Sequence, residues 1–134
     1  MNDASRDEDV AIRRLFSDYA EALDDANAEA VTDLFTFPAT IWQLGDGHVF
    51  EEAEDLAENV EALIDVFNEA GIVLSVPEVL AVESHGAGGF VSVAWRQESE
   101  TGEALHEFTC QYLLIRGDDG WRIATVVNDP AGQA

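Results

Sequence analysis

Lysine is absent from the 134 residues, and six arginines stand against 28 aspartates and glutamates, a formal net charge of −22. Without lysine no side chain can form a Schiff base with a carbonyl substrate, which removes one class of covalent catalysis. Without clustered Lys and Arg the chain cannot grip a phosphate backbone or an anionic membrane surface, so no nucleic acid and no membrane partner is expected. Cysteine occurs once, at Cys110, so neither an internal disulfide nor a cysteine-rich zinc site is available. Nothing basic flanks Cys110, which reads as a small buried hydrophobe and not a reactive thiol. No apolar run approaches the ~20 residues that a membrane-spanning helix needs. The first nine residues are acidic where a secretory signal is basic and then apolar, so a cytoplasmic location is expected.

Two further absences concern cofactors. The three histidines, His48, His85 and His106, fall on separate elements with no ligand spacing, so no metal site is expected. No glycine-rich loop follows a strand and opens a helix, the arrangement that cradles phosphate; glycines 86, 88 and 89 lie between strands, and no cofactor is expected. The acidity itself fits two origins, a salt-accumulating host or a genome that encodes Arg in place of Lys.

What is present is 47% apolar residues in a chain long enough to bury one real core, roughly 65–70% of its unfolded surface. A single domain is expected over 1–134, with its core at about 6–128 and the loose-looking ends Met1–Ala4 and Pro130–Ala134 outside it. Ile12, Leu15, Phe16, Tyr19 and Leu23 recur at spacings of three and four, which predicts a helix over about 6–25 started by a Ser5/Glu8 capping box. Asn27 caps a second short helix carrying Val31, Leu34 and Phe35, which must stop before Pro38. Ala39–Leu44 reads as a strand, Gly45-Asp46-Gly47 as a turn and His48–Phe50 as its partner strand. From Glu51 the period is helical again, with Leu56, Val60, Leu63, Ile64 and Phe67 on one face and Gly71 as the stop. Beyond Gly71 four strands alternate with turns, over about 72–84, 90–97, 105–116 and 121–128; Pro77 marks the first of them as an edge strand or a bulged one.

Ala11–Leu23, Val31-Thr32-Asp33-Leu34-Phe35, Ala39-Thr40-Ile41 and Gly120-Trp121-Arg122-Ile123, in this order and spacing, resemble the NTF2-like superfamily, with its SnoaL-like and ketosteroid-isomerase-like branches. The resemblance implies an α+β cone, three N-terminal helices packed on a curved antiparallel (mixed) sheet around a cavity, and often a dimer formed through the outer sheet face. It also implies where an isomerase would keep its groups. Tyr19 matches the oxygen-holding tyrosine, but Gln43 stands at the proton-moving acid and Gln111 at the late-strand acid. Glutamine neither takes up nor releases a proton at ordinary pH, so the isomerase acid pair is missing.

On this reading the pocket is lined by Tyr19, Trp42, Gln43, Val93, Trp95, Thr109 and Gln111, with Val91, Val93, Trp95 and Gln97 on the inner face of one strand and Thr109, Gln111 and Leu113 on that of the next. Neutral hydrogen-bonding groups in an apolar wall suit a small, mostly apolar, neutral molecule. The alternative is a SnoaL-like isomerase, dehydratase or cyclase using Tyr19, Asp46 or His48; a third is a structural dimerisation module with a filled cavity. Phe108, Cys110, Tyr112 and Leu114 then face outward with His106, and this apolar set motivates a homodimer.

Overall fold

The computed structural model describes residues 3–43 and 45–129, so Met1, Asn2 and Pro130–Ala134 of the expected ends, and Leu44 of the expected strand Ala39–Leu44, lie outside the described residues. Helices α1 (Asp3–Asp24) and α2 (Ala28–Thr32) precede a strand pair, β1 (Phe35–Gln43) and β2 (Asp46–Phe50). Helix α3 (Ala53–Ala70) follows, then β3 (Leu74–His85), β4 (Gly88–Glu98), β5 (Ala104–Gly117) and β6 (Gly120–Asp129). The strands form one sheet of an α+β fold in the order β2-β1-β6-β5-β4-β3; it is mixed, because β1 and β6 run parallel while the other neighbours are antiparallel. No helix among the described residues is long and apolar enough to cross a membrane.

The local signals act as their chemistry requires. The Asn27 carboxamide oxygen accepts the Ala30 N–H at 3.1 Å and starts α2, and Gly71 ends α3 at φ 81°, a left-handed angle that costs glycine little. Pro77 lies on the edge strand β3, just before a register shift at Val79/Ala81. Several boundaries differ from the sequence reading: α2 ends at Thr32, which leaves Leu34 and Phe35 outside it, and β2 takes in Asp46 and Gly47 of the expected turn. Strand β1 begins at Phe35 instead of Ala39, and Pro38 sits inside it within the register irregularity between Phe35 and Thr40, where a missing N–H costs no ladder bond. Helix α1 begins before Ser5, so Ser5 is not its cap. The Glu8 carboxylate instead accepts the Ser84 hydroxyl at 3.1 Å and pairs with Arg116.

At its other end α1 is tied to β3 again, where an Asp24 carboxylate oxygen accepts the Ser75 N–H at 2.9 Å. The helix therefore lies along β3 in the opposite direction, and its stripe of Ile12, Leu15, Phe16 and Leu23 is buried on the sheet. Leu56, Val60 and Ile64 of α3 are buried as expected, but Leu63 is exposed on the flank of that helix.

Candidate functional site

Register decides which side chains meet beneath the helices. Val93 lies opposite Cys110, Val91 opposite Tyr112 and Trp95 opposite Phe108, so these six share one face; Val93 is 0% exposed and Leu114, two residues beyond Tyr112, also 0%. This corrects the inner face of β5. Its inward set is His106, Phe108, Cys110, Tyr112 and Leu114, and Thr109, Gln111 and Leu113 point outward. The physical reason is burial: the Phe/Cys/Tyr/Leu alternation is the more apolar of the two, and the helices cover it. Gln111 instead bonds the Ser92 hydroxyl on the outer face. The homodimer argument built on Phe108, Cys110, Tyr112 and Leu114 falls with this correction, because those residues belong to the inner face.

Trp42 is also outward. It is 45% exposed and its indole lies over Gly47, where an added Cβ would sit 2.7 Å from the ring. Gln43 does lie on the helix-covered side, in one row with Asn128 and Cys110, and is exposed. Asp46 is opposite Gln43 and His48 opposite Ile41, both exposed on the edge strand β2. Three strand spacings separate β2 from β5, about 14 Å, so these two candidates stand well away from Cys110 and Tyr112.

Tyr19 and Trp95 are brought together, with ring centroids 5.6 Å apart; Tyr19 also packs edge-on against Phe35 at 6.0 Å, and Phe16 against Tyr112 at 4.7 Å. The Trp95 indole N–H donates to the Tyr112 hydroxyl at 2.8 Å. Burial pushes both phenols above the ordinary tyrosine range, with the Cys110 thiol adding to the effect on Tyr19, and Tyr19 then Cys110 adding to it on Tyr112. Both are therefore neutral hydrogen-bonding groups at any physiological pH.

Exposure along the inner face is graded. Cys110, Tyr112, Leu114, Ile123, Val126 and Ala39 are buried. Toward the end where β5 starts and β6 and β1 finish, Phe108 and Asn128 are half-buried and His106 and Gln43 exposed, although all four point to the helix-covered side. The helices leave this strip uncovered, and the half-buried Tyr19 stands beside it. A hollow of about 560 Å³ lined by Glu78, Ala94, Trp95, Arg96, Glu107, Phe108 and Thr109 has its cation engaged: Arg96 Nε donates to Glu98 at 2.6 Å. Among the described residues no group of three or more His, Cys, Asp or Glu side chains is placed to hold a metal ion.

Residues 7–131 match the family model described as NTF2-like protein (DUF6841). The chain belongs to this NTF2-like family. No curated protein matches it. Among solved structures, a domain of unknown function with a cystatin-like fold from Nostoc punctiforme is similar at TM-score 0.75 and 18% identity, over 90% of this chain and 75% of that one. Aln2 from a Streptomyces species gives 0.71 and 14%, over 92% and 90%. An NTF-2 like protein of unknown function from Shewanella oneidensis gives 0.70 and 12%, over 88% and 95%. At these identities the likeness carries the NTF2-like, cystatin-like fold alone, which hosts many functions.

Sequence reasoning missed His106, Phe108, Cys110, Tyr112 and Asn128 as inward residues of the NTF2-like sheet. The signal that could have found the β5 set was present: of the two alternating sets, only one is apolar and aromatic without interruption from Phe108 to Leu114.

Proposed function

We propose that the domain binds a small, mainly apolar, uncharged molecule in the opening beside Tyr19, over Phe108, Asn128 and Gln43. The observation that carries this reading is the uncovered strip on an otherwise buried face, backed by the Tyr19–Trp95–Tyr112 cluster. An apolar wall with a few neutral polar groups is what such a ligand needs. The net charge of −22 repels an anion, and the phenols stay protonated. The carboxylate in register with the strip, Asp46, is exposed at the sheet edge, which favours binding over a proton transfer run by Asp46 or His48.

The test is a fluorescence titration with N-phenyl-1-naphthylamine, a neutral apolar probe. Asn128→Trp fills the strip and is expected to weaken binding at least tenfold, while Ala81→Trp on the outer face leaves it unchanged. Equal affinity in the two variants would sink the assignment.

The outer face supports a second reading, self-association, through residues other than those expected from the sequence. Leu80, Phe90, Ile115 and Val127 are all exposed there, and covering such a patch with a second copy removes apolar surface from water. Light scattering in molar salt, which screens the repulsion between acidic copies, is expected to give a dimer that Phe90→Glu converts to a monomer. A wild-type monomer under these conditions would end this reading.

A further inference from the structure

His106 is held by a chain of buried polar groups that packing alone does not require. The Ser75 and Gln97 side chains, 3% and 2% exposed, are two of the three buried polar residues among those described, and Gln97 lies between Ser75 and His106 in the ladder. The Gln97 amide N–H donates to the Ser75 hydroxyl at 3.2 Å, which turns the amide oxygen toward His106, 3.1 Å from Nδ1. Ser75 is in turn fixed to the end of α1, its N–H donating to Asp24. An amide oxygen only accepts, so Nδ1 of a neutral His106 must carry the proton and Nε2 the lone pair. The ring rests on Phe108, with centroids 4.8 Å apart, and stands exposed at the opening.

We propose that His106 is the ligand-facing hydrogen-bond acceptor of this opening, its tautomer set by Gln97, and that the ligand it receives is an apolar molecule bearing a hydroxyl group. This rests on the opening being a binding site. An imidazole free in water favours the opposite tautomer, with the proton on Nε2, so the inner network has a definite effect to exert. A hydroxyl donated to a bare Nε2 is a directional contact that an ether of the same shape cannot make.

Two measurements separate the parts. In the ¹⁵N-histidine spectrum at mildly alkaline pH, with the His106 signals assigned by His106→Phe, the wild-type protein is expected to show a protonated Nδ1 and a bare Nε2. Gln97→Leu, or the milder Ser75→Ala should the first not fold, is expected to shift the ring toward the Nε2–H form. A wild-type ring already in the Nε2–H form would overturn the positioning. In fluorescence titrations, 2-naphthol is expected to bind at least tenfold more tightly than 2-methoxynaphthalene, with the difference lost in His106→Phe. Equal binding of both to the wild type would overturn the acceptor role and leave the opening as a site. Binding of neither would overturn the site itself, and the spectrum would still decide whether the ring is positioned.

Discussion

Above pH 10 the domain is expected to lose stability at about 1.4 kcal/mol per pH unit for each of Tyr19 and Tyr112 that keeps its proton in the folded state. The sign follows from the raised phenol values. Below about pH 10 both tyrosines are protonated folded or unfolded, and the burial of neutral phenols counts in full. Above it the unfolded chain releases its protons while the folded chain holds them, so the folded state binds more protons and each further rise in pH favours unfolding. The loss continues until the folded values are reached. Absence of lysine makes this window clean, since no ammonium side chain titrates beside the phenols, and these two are the chain's only tyrosines. Urea unfolding between about pH 9 and 12, in a Cys110→Ala background that removes the thiol, reads the slope. Tyr112→Phe should halve it, and a flat profile would show that the cluster opens to solvent.

The second large effect tests the register of β5. Leu114→Ala removes a side chain that is 0% exposed and faces the helices, and is expected to cost about 2–5 kcal/mol in transfer and cavity energy. Its neighbour Leu113 lies on the outer face opposite Phe90 and Thr125, where the same change is expected to cost under about 1 kcal/mol. Chemical denaturation of the two variants decides between them. Equal losses would mean that both faces of β5 are buried, as an extensive dimer would make them.

The order of elements was legible in the sequence because periodicity is a strong signal for amphipathic elements. The stripe Ile12–Leu23, the Asn27 cap, the Gly71 stop and the edge position of Pro77 each rest on a local cause that tertiary structure leaves intact. The faces of the strands were less legible. The resemblance puts Gln111 at the late-strand acid and so inside, and a slip of one residue moves every side chain of a strand to the other face. Trp42 was misplaced for a related reason: a large indole suggests an interior wall, but Gly47 on the neighbouring strand offers a flat outer seat for it. The Ser75–Gln97–His106 chain spans three strands, and no sequence spacing reveals a contact of that kind.

The placement of β6 governs how the chain can reach this structure. It follows β5 in the chain and yet sits between β1 and β5, joining the first hairpin to the β3–β5 meander. Phe35 and Ile123, partners in the ladder, are separated by most of the polypeptide, so this closure carries a long-loop entropy cost that local pairing does not. The β3–β5 meander pairs neighbours in sequence, whereas the β1 edge is covered only by pairing with the distant β6. A net charge of −22 opposes association of chains in which that edge is still unpaired.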